Sequence, residues 1–223
     1  MNIVVIISAN AEWRAVKELI PGAQICITKV GEYFNSCLAD GRPVCFFHGG
    51  WGKVSAAATA QYAIDHFSPE LIVNLGTCGG FTGRIERGAV ILVERTVIYD
   101  IVEQMSDAEE AIRYYATTLD LGWVKRPDPH PVQRGLLVSA DRDIVVQDIP
   151  MLVERYGAVA ADWESGAIAW VAKQNGVRVL VLRGVTDLVG SDGGEAYGNY
   201  GLFARRTREV MKELLEQLPD WIA

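Results

Sequence analysis

Residues 158–190, AVAADWESGAIAWVAKQNGVRVLVLRGVTDLVG, decide how this chain folds. Val159 to Ala161 is short and apolar. Residues 165–174 place Ala167, Ile168, Trp170 and Val171 on one helical face, and Asn175-Gly176 is a C-terminal stop. Residues 178–185 are β-branched and nearly continuous in their hydrophobicity, as a strand buried on both faces is. The reading is strand, helix, strand. The acids fall in a pattern along it. Asp162 and Glu164 stand where the first strand gives way to its helix, and Asp187 stands just past the end of the second strand. An open α/β sheet binds ligands outside the carboxyl ends of its strands, and both turns deliver carboxylates to that edge. A single acid in such a place is more often a helix cap or a loop residue. Together with Arg183 in the second strand and Thr186-Asp187 at its end, these acids point to a site.

The rest of the chain extends the same alternation. Residues 2–8 (NIVVIIS) form a buried first strand. Ala9-Asn10-Ala11 is a turn, and a helix runs from Glu12 to Leu19, stopped by Pro21-Gly22. Glu12 therefore occupies a strand-to-helix turn, as Glu164 does. The plainer alternative is an acid in a first helical turn, held there by the helix dipole. Residues 23–28 and 33–39 read as strands, and Asp40-Gly41 turns the chain into a third at 43–48. The segment Gly49-Gly50-Trp51-Gly52-Lys53 precedes an alanine-rich helix over 54–66. A glycine-rich turn before a helix can cradle an anion on free N–H groups, although the Walker spacing is absent. Residues 71–75 form a buried strand ending in the turn Gly76-Thr77-Cys78-Gly79-Gly80, where glycine permits close approach of backbone to a ligand.

Further on, residues 88–99 read as a strand or a bent pair, 107–118 as a helix, 125–131 as a polar loop, 135–139 as a strand and 148–155 as a short helix. Residues 190–201, rich in glycine and holding two tyrosines, read as a lid before a final amphipathic helix over 202–218. Strands alternating with helices argue the α/β class. The expectation is a single domain over 1–223: a twisted central mixed β-sheet, curled toward a barrel and flanked by helices.

Composition bounds the partners. The net charge of −7 argues against nucleic acid or an anionic membrane surface, and no apolar run reaches transmembrane length. The N-terminal apolar run lacks a basic region before it and fits a first strand better than a secretion signal. Cys26, Cys37, Cys45 and Cys78 lack metal-ligand spacing; in apolar strand contexts they read as buried thiols of a reducing, cytoplasmic protein. Neither a metal nor an organic cofactor is implied, and no GxGxxG follows the first strand to hold a dinucleotide.

Asp162-Trp163-Glu164-Ser165, followed by Arg183-Gly184-Val185-Thr186-Asp187, resembles the purine nucleoside phosphorylase and nucleosidase superfamily. The similarity is closest to the methylthioadenosine/S-adenosylhomocysteine nucleosidases, which have Glu-Met-Glu-Ala and Arg-Ala-Ile-Ser-Asp at the two places. It covers nearly the whole chain and is strongest at 1–12, 49–80 and 158–190. The resemblance implies a nucleoside phosphorylase-like fold, hydrolysis of the N-glycosidic bond of a purine-type nucleoside, and a homodimer in which a neighbour closes the pocket. Residue by residue, it makes Glu12 the general acid/base that activates water. Asp187 becomes the acid toward the departing base, and Glu164 the acceptor of ribose hydroxyls. Trp51, in a Gly-x-Gly-Lys segment, lines the ribose side; Thr77, Cys78 and Gly79 contact sugar and base. Trp163 takes the place of a sugar-packing methionine, and Asp143 with Ile144 takes the place of a phenylalanine that stacks on adenine. Asp162 and Thr186 complete the set.

The chemistry suits these residue types. Cleaving the bond builds positive charge on the sugar and negative charge on the base, so the site must protonate one, activate an acceptor and hold the other. A buried Asp187 can keep its proton near neutral pH. Phosphorylases of the superfamily carry an arginine in the strand before the glycine turn and others near the N-terminus. Here Asn74 holds the strand position and Arg14 is expected to face outward, so no guanidinium cluster awaits a dianion. Hydrolysis is favoured over phosphorolysis on that ground. The departures at 143 and 163 leave a futalosine-type nucleoside open as the substrate. A non-catalytic nucleoside-binding module is the other class, distinguished by whether Glu12 and Asp187 face one pocket.

Overall fold

A computed structural model describes residues 2–223. In chain order the elements are β1 (Ile3–Ile7), α1 (Asn10–Leu19), β2 (Cys26–Ile27), β3 (Glu32–Cys37), β4 (Pro43–His48), α2 (Gly52–Phe67), β5 (Leu71–Phe81), β6 (Val90–Ile98), α3 (Ala108–Tyr114), β7 (Ala116–Thr118), β8 (Gln133–Ser139), α4 (Ile149–Tyr156), β9 (Ala158–Asp162), α5 (Ser165–Gln174), β10 (Arg178–Gly190), β11 (Gly193–Gly194) and α6 (Tyr200–Trp221). All strands belong to one mixed sheet in the order β11-β10-β6-β8-β9-β5-β1-β4-β3-β2, with β7 on β6. Because β10 also pairs with β5, the strands β10, β6, β8, β9 and β5 close into a ring of hydrogen-bonded neighbours. The curl toward a barrel is thus real, with an open wing from β1 to β2.

The apolar runs explain the layers. Every residue of β1 is buried, as the unbroken IVVII run requires of a parallel strand covered on both faces. On one face lie α1 and α6, which bury Trp13, Val16, Met211, Leu214 and Trp221. On the other lie α2 and α5, contributing Ala56, Ala60, Ala63, Ile168 and Val171. The alanines recur at helical spacing, so α2 can lie against α5 with little side-chain bulk between them. Each fully buried Ile or Leu of these layers contributes roughly 1.5–3 kcal/mol. A third cluster, including Phe81, Leu136, Val138 and Leu152, packs β5 and β8 against α3 and α4.

Several boundaries differ from the sequence reading, each for a stated cause. Helix α1 begins at Asn10, not Glu12, because Ala9 is the N-cap and the carboxylate of Glu12 reaches back to accept from the Ala9 N–H at 3.1 Å. The Gly76–Gly80 segment is not a turn. Strand β5 runs on through Phe81, held by parallel pairing with β10 and antiparallel pairing with β9. Likewise Asp187 is inside β10, which continues to Gly190. The 107–118 stretch divides into helix α3 and strand β7. Only Cys26–Ile27 of the 23–28 stretch pairs as a strand, and α6 extends to Tyr200–Trp221. Cys26 and Cys37 are exposed rather than buried, since β2 and β3 form the outer edge of the open wing; Cys45 and Cys78 are buried.

Candidate active site

One cavity of about 640 Å³ opens where the carboxyl ends of β1, β5, β9 and β10 converge, a size that suits a small organic ligand. Its back wall is built around Arg183, which is 1% exposed. The Arg183 Nε–H donates to Ser165 Oγ at 2.8 Å, and Nη2–H donates to Asn74 Oδ1 at 2.7 Å and lies 2.9 Å from Asp162 Oδ2. Nη1 is 3.9 Å from Glu12 Oε1. Residue 76 must be glycine for this arrangement: a Cβ there would stand 1.7 Å from Arg183 Nη1 and 2.7 Å from Glu12 Oε1.

Glu12 is fixed by the backbone of two neighbouring elements. Its Oε1 accepts from the Thr77 N–H at 2.6 Å and the Thr77 hydroxyl at 2.9 Å, and its Oε2 accepts from the Ala9 N–H. Glu164 follows the end of β9 at the N-cap of α5, where its Oε1 accepts from the Gly52 N–H at 3.1 Å. That bond ties the glycine segment before α2 to the site. Gly52 has φ +77, which favours glycine there, and a Cβ would also crowd Asp141 at 2.9 Å.

A bulge places Asp187. Val185 aligns with Cys78 and Asp187 with Gly79, so Thr186 is the extra residue on β10. Such a bulge re-aims the side chains that follow it. The Thr186 hydroxyl donates to Asp187 Oδ1 at 2.9 Å.

The charges are unequal in their comfort. Burial raises the pKa of Glu164 to about 8, reinforced by the neighbouring Asp162 and Glu12 carboxylates. Burial and the two facing carboxylates thus hold Glu164 toward its protonated form. Burial also raises the pKa of Asp187, against the opposing hydrogen bonds from Thr186 and the Ala196 N–H. Burial alone would lower that of Arg183, but Asp162, Glu12 and Glu164 outweigh it and raise it. Burial holds the Cys78 thiol far above its usual range, which makes it a neutral wall and not a nucleophile.

Glu12, Trp51, Thr77, Cys78, Gly79, Asp143, Ile144, Asp162, Trp163, Glu164, Thr186 and Asp187 all line this cavity. Asp162 does so only as wall. Its carboxylate accepts from Ser139 Oγ at 2.6 Å and from the Ser165 N–H at 3.1 Å, and it faces Arg183, so it is spent on structure. Trp51 is 64% exposed at the rim.

The sequence reading missed Arg14, Arg142, Tyr197, Tyr200 and Phe203 as lining residues. Arg14 is exposed, as expected, and also reaches the cavity rim. It folds over the open N-terminal turn of α1, its Nε–H donating to Asn10 O at 3.3 Å and its Nη2–H to the Tyr200 hydroxyl. The 190–201 stretch read as a lid does lie over the cavity, with Ala196 to Tyr200 in its wall. It is tied down by the Tyr197 hydroxyl donating to Ile144 O at 3.0 Å, and by Glu195 pairing with Arg87 at 2.9 Å and Arg206 at 3.0 Å. The spacing of Tyr200 and Phe203, one turn apart at a helix start, was the available signal for a shared face. Among the described residues, no group of His, Cys, Asp and Glu is arranged to hold a metal ion, and no helix is long and apolar enough to cross a membrane.

Comparison with known proteins identifies the family. A family model described as "Phosphorylase superfamily" matches residues 2–218. A 5′-methylthioadenosine/S-adenosylhomocysteine nucleosidase of Maridesulfovibrio salexigens is 30% identical over 169 residues, which is 70% of this chain and 73% of that one. The crystal structure of Campylobacter jejuni 5′-methylthioadenosine/S-adenosyl homocysteine nucleosidase superposes with a TM-score of 0.78 at 16% identity, covering 98% of each chain. The structure of futalosine hydrolase of Helicobacter pylori strain 26695 superposes with a TM-score of 0.80 at 16% identity, covering 99% of this chain and 97% of that one. At such identities the two structures speak for the fold alone.

Proposed function

The chain belongs to the phosphorylase superfamily, among the relatives of the 5′-methylthioadenosine/S-adenosylhomocysteine nucleosidases, and from that membership we propose that its cavity hydrolyses the N-glycosidic bond of a purine nucleoside of the methylthioadenosine type. It is an N-glycosyl hydrolase acting on a small molecule. The observation that carries the assignment of roles is that Glu12, Glu164 and Asp187, from three distant parts of the chain, line one cavity.

The steps follow from their surroundings. Asp187, whose carboxyl burial holds toward its protonated form, donates a proton to the base as the bond to the sugar lengthens. Positive charge grows on the sugar ring beside Glu12 and Glu164. Glu12, oriented by Thr77 and Ala9, accepts a proton from the water that attacks the anomeric carbon. Glu164 holds the ribose hydroxyls, and Trp163 and Trp51 cover the sugar with flat apolar faces. The products are free base and free sugar, with one water consumed. General acid and base groups of this kind each contribute about 10²–10⁴ in rate.

Water is favoured over phosphate because the guanidiniums near the sugar are committed. Arg183 is bound to Ser165, Asn74 and Asp162, and Arg142 is paired with Asp148. Among the described residues, Arg14 is the one guanidinium there left without a carboxylate, and a free phosphate acceptor calls for a cluster of them. Incubation with methylthioadenosine in phosphate-free buffer tests this. Free adenine and methylthioribose are expected at a rate that added phosphate does not raise; a requirement for phosphate, with a sugar 1-phosphate as product, contradicts the reading.

The same reading carries two finer assignments, a homodimer and a cytoplasmic location. Val54, Val102 and Met105 are exposed apolar side chains of the kind a second copy would cover, and light scattering after size exclusion should return twice the chain mass. The free cysteines suit a reducing compartment.

A further inference from the structure

Arg14 is the one guanidinium of the cavity wall that has no carboxylate within ion-pair distance among the described residues. Arg142 is paired with Asp148, and Arg183 with Asp162 at 2.9 Å. The partners of Arg14 are neutral: Asn10 O at 3.3 Å, the Tyr200 hydroxyl, and the Tyr200 ring, whose centroid is 5.9 Å from the guanidinium carbon. Asn10 O and a hydroxyl leave most of its five N–H donors free. The cation is nonetheless held in place, because Tyr200 opens α6 and Arg14 belongs to α1, two elements packed together.

Its position within the cavity follows from the residues already placed. Asp187, with Gly79 across the ladder from it, marks the end that takes the base. Glu12 and Glu164 mark the sugar. Arg14 follows Glu12 by two residues on α1, and Tyr200 and Phe203 of α6 and Trp51 line the same cavity. With the base at Asp187 and the sugar at Glu12 and Glu164, these residues are the part of the wall left for the rest of the nucleoside. A substituent at the sugar's 5′ position meets them: apolar atoms against Trp51 and Phe203, and then a charge at Arg14.

Resting on the nucleosidase reading, we propose that Arg14 is a specificity-determining residue that binds an anionic group on the substrate's 5′ substituent. The enzyme then prefers nucleosides with an acidic 5′ extension to neutral ones such as methylthioadenosine. The group is a carboxylate on a flexible arm or a phosphate on the 5′ oxygen, since both accept a bidentate fork.

The test compares wild type with Arg14→Gln, Arg14→Lys and Tyr200→Phe on S-adenosylhomocysteine, adenosine 5′-monophosphate and methylthioadenosine. Turnover and equilibrium binding are both read. In Arg14→Gln the ratio of kcat/KM for an acidic substrate to that for methylthioadenosine should fall about tenfold or more, the size of one charge-assisted contact, and the change should lie in KM. Arg14→Lys should recover part of it by keeping the charge. Whichever acidic substrate loses its advantage identifies the anion. Equal losses on acidic and neutral substrates, or a full copy of the loss by Tyr200→Phe, would mean that Arg14 only braces α6, and would overturn the proposal; so would no change in the ratio. If wild type leaves all three nucleosides intact, the hydrolase reading fails by itself. The binding ratio then decides for Arg14: a tenfold loss confined to the acidic ligands upholds the anion site, and an unchanged ratio ends it.

Discussion

The back of the cavity and its mouth obey different constraints. At the back, Arg183 is 1% exposed and Glu12 is 2% exposed, and the guanidinium and the carboxylates facing it are bonded to partners fixed on strand ends. At the mouth, Trp51 is 64% exposed and Arg14 touches only neutral oxygens and a ring. The back is where charge must be placed in advance, because a buried charge is tolerated only with its partners in position. The mouth can change residue by residue without disturbing the fold, so there the chain departs most freely from the pattern it resembles, as at Trp51 and Trp163. Chemistry thus sits on buried groups, with Asp187 in β10 and Glu12 and Glu164 at helix starts, and selectivity sits at the exposed rim.

The contrast can be broken most violently at Gly76. In Gly76→Ala the new Cβ would stand 1.7 Å from Arg183 Nη1, so the guanidinium must leave its carboxylates. Urea unfolding should show a loss of about 3–5 kcal/mol, with turnover abolished; a stable, active variant would show that the back wall is not rigid. Asp187→Asn should separate activity from stability. Here kcat should fall by about 10²–10⁴, while the unfolding midpoint at pH 8 stays equal or rises, because burial disfavours the ionised carboxyl. A parallel loss of both would mean that Asp187 holds the strand and does not act on the base.

The third prediction uses pH. The folded-state pKa of Glu164 is raised from 4.5 to about 8, so the folded chain retains a proton that the unfolded chain has released. Stability therefore falls as pH rises through that window, and the raised Asp187 adds a slope of the same sign. Asp128 and Glu32, whose pKa values are lowered by Arg134 and by Lys17 with Trp13 respectively, act in the acid range below it and do not cancel the slope. The apo Tm should drop by about 5 °C between pH 6 and pH 8, and Glu164→Gln should flatten most of that drop. The smallest effect belongs to the mouth. Trp51→Ala should raise KM by less than about tenfold and leave stability within about 0.5 kcal/mol, as measured by steady-state kinetics and urea titration.

Much of the back of the site was legible in the sequence because it follows a rule of strand ends. Apolar runs at 3–7, 71–75 and 178–185 announce buried strands, and the acids beyond them fall on the binding edge. Asp187 shows where that logic stops. It reads as a loop residue, yet a bulge at Thr186 and the pairing of β10 with β5 keep it inside a strand. A bulge depends on register with a distant strand, and no local pattern encodes it. The same applies to Gly76, whose need for glycine arises from Arg183, more than a hundred positions along the chain. The mouth was harder. Arg14 looks outward on a helical wheel, but it sits at an open helix start and is caught by Tyr200, which is 186 residues away. Cys26 and Cys37 read as core thiols because their neighbours are apolar, and only the position of β2 and β3 at the sheet edge exposes them.

The central claim is that acids from separate strand ends act on one bound nucleoside, with Glu12 activating the water. Glu12→Gln tests it most directly, since glutamine keeps the size and the Thr77 contacts but cannot take the proton. Titration of this variant with methylthioadenosine should give a Kd close to that of wild type, while base release falls by about 10²–10⁴. Base release at the wild-type rate would contradict the account.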